Sequence, residues 1–446
     1  MIDNPSELDK WLTKLLDAHP KQIALGLRRV RSVAERMCFK IIDKQIRLNS
    51  KVIIVGGTNG KGSVCAFLEN ILLSEGYTTT LYTSPHILTF KERLRSNGEL
   101  LDDSVWIEAF SAVEAAKIVV PEKKLTFFEF STLAAMLISN KLKPDVAIFE
   151  IGLGGRLDAV NLLDSDCSVL TSIDLDHENF LGNTREKIAW EKVHIARPGK
   201  PIVLAEENPP EILHSFCEKI GAKQLRVNRD YYYKQLGNNQ WSWYGRQTTR
   251  HALAIPSLRG KHQLRNASAA LACVESLSEE FPISQGSMRK ALISVHLPGR
   301  LQVLAGQPTI VLDVAHNASA ARVLSSGLGE IGFYPLTVGV VGLLDDKDSL
   351  SIFEALKSKI DKWFLVSLDP QRSMNRGRRA DSLKKTLIEL IPEADVHCFD
   401  GPEEGFTEAC RICNKEDRIV VCGSFVTVSA VWPLAEKFLK GTEKGE

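Results

Sequence analysis

The spacing of apolar positions changes several times along the chain, and the changes divide it. Near the start, Trp11, Leu12, Leu15 and Leu16 recur with helical period in "ELDKWLTKLLDAH", which predicts an opening amphipathic helix. From "KVIIVGG" onward, short continuous apolar runs alternate with longer helical ones. "TTTLYTS", "DVAIFEIG", "CSVLTSI" and "PIVLAE" read as strands, while "SVCAFLENILLSEG" and "STLAAMLISNKL" read as helices. Strands that are apolar throughout are buried on both faces, so this alternation predicts a parallel sheet covered by helices.

Around residue 222 the pattern becomes aromatic and alternating. In "RVNRDYYYKQLGNNQWSWYGRQ" two ring-rich runs flank a Gly-Asn-Asn turn, which predicts antiparallel hairpins and a small β insertion over 222–262. Rings among arginines are also what stacks on nucleic-acid bases, but alternating rings are more often the packed face of a hairpin. A helix over "NASAALACVESL" follows, and then "HLPGRLQV" breaks the pattern at Pro298 and Gly299. Beyond it "TIVLDVA", "LTVGVVGLL", "KWFLVSL", "DVHCFD" and "RIVVCGS" restart the strand–helix alternation. The fold class expected is α/β: a P-loop-type parallel-sheet ATP-binding domain over 1–297 with its small β insertion, plus a smaller Rossmann-like open α/β domain over 298–446.

Composition narrows the function classes. A chain of 446 residues accommodates about two or three domains. Lys and Arg total 56 against 55 Asp and Glu, so no polyanion such as nucleic acid is indicated as the main partner. The first residues, "MIDNPSELDKWL", contain neither a secretory signal nor a transit peptide, and no run approaches the ~18 apolar residues of a membrane span. A cytoplasmic protein without membrane contact is expected. Nine cysteines scattered among apolar neighbours suit reduced core residues better than a disulfide framework. Cys410 and Cys413 form a lone C-x-x-C, with no second pair to complete a metal site.

"VIIVGGTNGKGSV" is the segment with the most chemistry. A strand leading into a glycine-rich loop and then a helix brings backbone N–H groups and a helix N-terminus onto an anion. Gly56, Gly57, Gly60 and Gly62 keep side chains out of the way, Lys61 supplies a cation for the outer phosphates, and the Ser63 hydroxyl suits Mg²⁺. A glycine separates Lys61 from Ser63, unlike the common phosphate loop. "NKED" at Asn414–Asp417 matches the guanine reader of GTPases, but it precedes a strand rather than following one and is a chance match.

Polar groups also gather at strand ends. Glu150 closes "DVAIFE" ahead of a glycine turn with Arg156 and Asp158, and Asp174, Asp176, His177 and Glu178 close "CSVLTSI". Such ends are where an α/β sheet presents ligands. Glu150 and His177, read as lying on adjacent strand ends, form a candidate metal pair; a histidine that only hydrogen-bonds is the other reading, because Mg²⁺ prefers oxygen. Past the Pro-Gly break, Asp313, His316 and Asn317 end another strand, and two such ends in separate domains suggest a cleft that closes on two substrates.

In order along the chain, "GGTNGKGS", "YTSPHI", "LTFFEFSTL", "FEIGLGGRLDAVN", "TSIDLDHENFLG", "LPGR", "DVAHN", "GLLDDKD" and "VCGSF" resemble the folylpolyglutamate synthase and dihydrofolate synthase family, a branch of the Mur ligase superfamily. The likeness covers nearly the whole chain and makes the additional glycine normal for this loop. It implies ATP-dependent amide formation: a substrate carboxylate takes the γ-phosphoryl group, and the amine of L-glutamate displaces phosphate from the acyl phosphate. The substrates implied are dihydropteroate and reduced folates, in a monomeric enzyme of folate biosynthesis.

By matching positions, the resemblance assigns Thr58, Asn59, Gly60, Lys61, Gly62 and Ser63 to the triphosphate and Asn266, Arg300 and Asp313 to the nucleotide. It assigns Ser84, Glu150 and His177 to magnesium and places His316 near the reacting groups. Lys192, in "REKIAWEKVHI", looks like the lysine that the family carbamylates with CO₂ to support a second Mg²⁺. Ala24, Leu25 and Gly26, then Thr126, Phe127, Phe128 and Glu129, then Leu157, Asp158 and Ala159 match pterin-binding segments; the rings would stack on the heterocycle and Glu129 would accept from its amino groups. Two departures stand out. Ala24 occupies a position where bifunctional relatives usually carry Asp, and Val193 and His194 replace the usual Ala and Gly after Lys192.

Overall fold

A computed structural model describes residues 5–17, 23–37, 39–118, 124–237, 240–370, 372–373 and 375–442. The chain forms two compact units. The first ends at Val295 and omits Ile87–Thr89 and Leu258–Gln263, which belong with the second unit and its residues from His296 onward.

In the first unit an eight-stranded sheet runs in the order Lys223–Arg226, Pro201–Leu204, Cys167–Leu170, Lys51–Gly56, Val146–Glu150, Thr79–Tyr82, Leu94–Ser96 and Glu99–Leu100. The first six are mutually parallel, and the last two turn antiparallel at the edge. Val52, Ile53, Ile54 and Val55 are all buried, which is why their run shows no alternation. Ile53 pairs with Ile148 on one side and Cys167 on the other, so Lys51–Gly56 is a central strand. The strands between Thr79 and Glu150 lie to one side of it and those after Cys167 to the other. Its C-terminal end is therefore a switch point, where open α/β sheets bind ligands.

Two features differ from the sequence-based expectation, and the antiparallel hairpin expected between them is present. Lys223–Arg226 is not part of the β insertion; it pairs in parallel with Pro201–Leu204 as the edge of the main sheet. The separate antiparallel sheet is Tyr232–Leu236, Gln240–Tyr244 and Thr249–Ala254, while Asn238 and Asn239 of the expected turn lie outside the described residues. Trp241 and Trp243 pack inward, and Tyr232 stacks on Tyr244 with centroids 4.4 Å apart, so the rings serve the hairpin. Glu150 and His177 do not end adjacent strands, because Lys51–Gly56 lies between the Glu150 strand and the Cys167–Leu170 strand that precedes His177.

The second unit holds a six-stranded sheet, ordered Gln302–Leu304, Thr309–Leu312, Arg418–Cys422, Thr337–Val341, Lys362–Val366 and Asp395–Phe399. Only the first pairing is antiparallel. Leu324, Phe353 and Trp363 pack on one face, and Phe364, Val428 and Trp432 on the other. Cys410 packs against the latter cluster, and burial pushes the thiols of Cys410 and Cys413 up to about 12, which suits inert packing residues. Among the described residues no helix is long and apolar enough to cross a membrane.

Candidate active site

The strand ends at Gly56 and the next helix starts at Lys61, with Gly60 as its N-cap at φ +89°. The first three helical N–H groups, those of Lys61, Gly62 and Ser63, reach no carbonyl within the helix, and no side chain caps them from Gly60. They form an anion-binding terminus. Two glycines are required by their neighbours. A Cβ on Gly57 would come 1.9 Å from Thr171 Oγ1, and one on Gly60 would come 2.6 Å from Asn266 Oδ1. Asn266, assigned far away in sequence, thus lies against the loop.

Thr58 and Asn59 are held from behind. The Thr58 N–H donates to Ser172 O at 2.7 Å and the Asn59 N–H to Ser172 Oγ at 3.0 Å, while Thr171 Oγ1 donates to Asn59 O at 2.7 Å. These backbone donors fix the loop's shape, so the helix terminus is left to meet phosphate.

Two lysines converge on one carbonyl. Lys61 Nζ lies 3.2 Å from Gly57 O and from Thr58 O, and Lys192 Nζ lies 2.9 Å from Gly57 O. Lys192 is buried, and that burial, followed by the charge of Lys61, lowers its amine to about 7 against the pull of Asp176 and Asp158. The glycine turn grips the helix bearing it: a Cβ on Gly155 would meet Glu191 O at 2.8 Å, and Arg156 holds the Glu191 carboxylate through contacts of 3.2 and 2.9 Å. Val193 is buried, while His194 Nδ1 donates to Trp190 O at 2.7 Å and its ring lies 4.4 Å from that of Phe216. Both departures from the family pattern are therefore packing residues at the helix end.

Glu150 is buried at its strand end and accepts the Ser84 N–H at 3.2 Å, which brings two of the expected metal ligands together. His177, at φ +53°, precedes the short Glu178–Leu181 helix, and its N–H donates to Asp176 Oδ1 at 2.8 Å. Among the described residues no three His, Cys, Asp or Glu side chains form a ready cation site. The expected set needs only two of these, Glu150 and His177. With the Ser84 hydroxyl and an oxygen built on Lys192 it becomes oxygen-rich, which suits Mg²⁺.

The three pterin-matching segments also converge. The Gly26 N–H donates to Leu157 O at 3.2 Å, and Arg29 bridges the rest: its Nε donates to Glu129 Oε2 at 2.8 Å and its Nη2 to Ala24 O. The carboxylates here, however, serve the fold. Glu129 Oε2 also accepts the Thr126 N–H at 2.9 Å and the Thr126 hydroxyl at 3.1 Å, completing a capping box for the helix Phe127–Leu142. Asp158 accepts the Leu153 N–H at 2.8 Å and the Val160 N–H at 2.9 Å, and so caps the short Ala159–Leu162 helix. Burial pushes its carboxyl up to about 7, with those backbone donors and Lys61 opposing. Glu129 Oε2, expected to accept from a pterin, thus has three donors within the chain, Arg29 Nε and the Thr126 N–H and hydroxyl.

The rings remain available. Phe127 and Phe128 are half-buried; Phe128 covers Gly152, where a Cβ would come 2.6 Å from the ring, and Phe127 lies 5.1 Å from the Arg93 guanidinium. Arg29 and Arg93 escaped the sequence reading. For Arg29 the only signal was a short "LRRV" next to an assigned segment, and Arg93 had none.

In the second unit, the Asp313 carboxylate accepts the N–H groups of Leu301 and Ala315, each at 2.7 Å. Burial raises its carboxyl while the Arg300 charge lowers it. Arg300 lies 5.3 Å over the Phe425 ring, and the His316 ring is 6.1 Å from the same ring. His316 Nδ1 donates to Val314 O at 2.8 Å. Asn317 caps the helix Ala318–Ile331. Asn414 and Asp417 close a turn on each other at 2.7 Å, with no resemblance to a base reader.

Two family models match the chain. The Mur ligase middle domain matches residues 55–274 and the Mur ligase, glutamate ligase domain matches residues 299–425. A dihydrofolate synthase/folylpolyglutamate synthase of Haemophilus influenzae is 37% identical over 97% of this chain and 98% of its own. The Escherichia coli FolC in complex with DHPP and ADP superposes with a TM-score of 0.88 at 34% identity, covering 97% of this chain and 98% of that one. A bifunctional folylpolyglutamate synthase/dihydrofolate synthase with Mn, AMPPNP and L-glutamate bound gives a TM-score of 0.84 at 36% identity, with the same coverage of both chains.

Proposed function

The chain belongs to the dihydrofolate synthase/folylpolyglutamate synthase family of Mur ligases, ATP-dependent amide-forming enzymes, and from that premise we propose that it joins L-glutamate both to dihydropteroate and to reduced folates. The observation that carries this reading is the meeting of Lys61 and Lys192 on the Gly57 carbonyl beside an uncapped helix terminus.

Carboxylate is a poor acyl donor, because its leaving group would be oxide. Its oxygen therefore attacks the γ-phosphorus of ATP, ADP leaves, and the resulting acyl phosphate loses orthophosphate when the glutamate amine attacks. Lys61 swings from its two carbonyls to the outer phosphates and offsets the charge that develops there. The N–H groups of Lys61, Gly62 and Ser63 orient the phosphates, with Thr58, Asn59 and Gly60 shaping the loop and Asn266 bearing on it. Arg300 and Asp313 would be the nucleotide contacts of the second unit, and His316 would stand near the reacting groups. Ser84, Glu150 and His177 would hold Mg²⁺, which supplies charge neutralisation on the transferring phosphoryl group.

Lys192 supports this assignment through its own chemistry. Only an uncharged amine adds to CO₂, forming a C–N bond and releasing a proton, and an amine lowered to about 7 is substantially uncharged near neutrality. The carbamate formed would carry an anionic oxygen of the kind that could hold a second Mg²⁺. A narrower reading, folylpolyglutamate synthase alone, is favoured by Ala24 and by the engagement of Glu129 within the fold. Parallel assays of glutamate-dependent ADP formation with dihydropteroate and with tetrahydrofolate separate the two. Absence of turnover with dihydropteroate leaves only the narrower reading, and failure of carboxylate ¹⁸O to reach orthophosphate removes both.

A further inference from the structure

Arg93 is a buried cation whose bonding neighbours are uncharged. It is 6% exposed, closes the short turn Phe90–Arg93, and donates from Nε to His86 Nδ1 at 2.9 Å, with the Tyr82 hydroxyl as a further polar partner. His86 accepts at Nδ1, so its ring is neutral there. Among the described residues no carboxylate lies within ion-pair distance of Arg93, in contrast to Arg95, whose buried partner Glu69 is 2.5 Å away. The other deeply buried arginine of this unit, Arg197, is satisfied differently: it donates to the carbonyls of His194, Ile195, Ala196, Asn161 and Leu163. A guanidinium has five N–H donors, and an uncompensated charge in a dry site is costly to maintain. Arg93 is therefore short of an anion.

Its surroundings identify the anion. The guanidinium carbon is 5.1 Å from the Phe127 ring and 5.8 Å from the Phe90 ring, with Phe128 continuing the aromatic strip beyond Tyr82 at 6.3 Å. The Arg93 carbonyl accepts the Thr83 N–H at 2.9 Å, and the next residue, Ser84, donates its N–H to Glu150 at 3.2 Å, so Arg93 lies close to the strand end beside the phosphate loop. Burial opposes its charge, while Glu92 and, after it, Glu150 favour it. Arg93 thus stands where a flat arene resting on the rings would end and phosphoryl chemistry would begin. The geometry points to Arg93 as the residue that receives the carboxylate of the pteroyl substrate, the group to be phosphorylated. The inference rests on the function proposed above. A planar fork suits this task, because it holds both carboxylate oxygens and fixes which one faces the γ-phosphorus.

The test is equilibrium binding of dihydropteroate, and of the same pterin ending in an unsubstituted anilino ring, to the wild-type protein and to R93Q and R93K, with ADP as a control. R93Q should weaken dihydropteroate by about 10- to 100-fold, the worth of a charge-assisted pair. It should leave the carboxylate-free ligand and ADP within about twofold, a margin below 1 kcal/mol, and R93K should recover part of the loss. Thermal stability of R93Q should not fall, because the variant removes an unpaired buried charge. Equal weakening of both pterins, or a collapse in stability, makes Arg93 a structural residue and overturns the inference. Unchanged dihydropteroate affinity does the same. A wild-type protein that neither binds nor turns over dihydropteroate or tetrahydrofolate removes the functional reading itself, and the inference with it.

Discussion

The phosphate loop and the aromatic segment beside it are built on opposite plans. At the loop, the lysines rest on an exchangeable partner: Lys61 and Lys192 both lie on the Gly57 carbonyl, an acceptor that Lys61 can leave for a phosphate oxygen. At Thr126–Glu129, the carboxylate is locked by a capping box and by Arg29, and Asp158 is locked by two backbone donors. The Phe127 and Phe128 rings beside them are half-buried. A motif thus tells where a ligand sits more reliably than which of its atoms does the touching, since a polar side chain can occupy a motif position to hold the backbone in shape.

The strongest test of this contrast is Lys61→Ala. Loss of one charged donor at the transferring phosphoryl should lower kcat for glutamate-dependent ADP release by about 10²- to 10³-fold or more. The unfolding transition should stay cooperative and near its wild-type midpoint, because the partners of Lys61 Nζ among the described residues are loop carbonyls. Glu129→Ala should reverse the pattern. It removes a helix cap and strands Arg29, so the unfolding free energy should drop by about 2 to 4 kcal/mol, while affinity for ADP at low temperature remains. A Glu129 variant of wild-type stability that fails only with pterin would erase the distinction between the two regions.

How much of this was legible in sequence follows the same division. The continuous apolar runs specified the central strands, because burial on both faces leaves no other composition, and "GGTNGKGS" specified the loop, because its glycines answer to neighbours such as Thr171 and Asn266. The edge strand Lys223–Arg226 was absorbed into the hairpin region because a short polar stretch has no apolar signal of its own. Placement of Lys51–Gly56 between the Glu150 and Cys167 strands was not readable either, since strand order is a long-range property. Glu129 shows the remaining difficulty. Its sequence "TFFE" is both a pterin segment by likeness and a capping box by spacing, and only coordinates show where Oε2 points.

Lys192 allows a test by pH. Its amine has an ordinary value of 10.5 and is lowered to about 7 in the fold. Between those values the unfolded chain holds a proton that the folded chain has released, so this group makes stability rise with pH; below about 7 the cost of the buried charge is complete. Asp158, raised from 3.8 to about 7, acts with the opposite slope below that range, so measurements from pH 7 to 9 report mainly Lys192. The stability advantage of Lys192→Met over wild type should therefore be greatest at pH 7 and shrink toward pH 9 in chemical denaturation. A constant difference would mean that Lys192 stays charged in the fold, and would leave its reaction with CO₂ without support.

Ala24→Asp should have the smallest effect and probes the aromatic segment most finely. The backbone oxygen of Ala24 already accepts from Arg29, so a carboxylate introduced there falls within reach of the same guanidinium. Two outcomes compete on physical grounds. If the new carboxylate pairs with Arg29, it joins Glu129 in maintaining the fold and the pterin gains nothing. If Glu129 keeps Arg29, as the 2.8 Å contact and the buried position of Glu129 favour, the introduced group faces the ligand and can accept from the pterin's amino hydrogens. The second outcome is expected: KM for dihydropteroate should fall by about three- to tenfold, the worth of one hydrogen bond to a charged acceptor partly open to water, with KM for ATP unchanged. A gain in thermal stability without any change in KM would show the first outcome instead, and would mean that carboxylates in this region are recruited by the fold wherever they are placed.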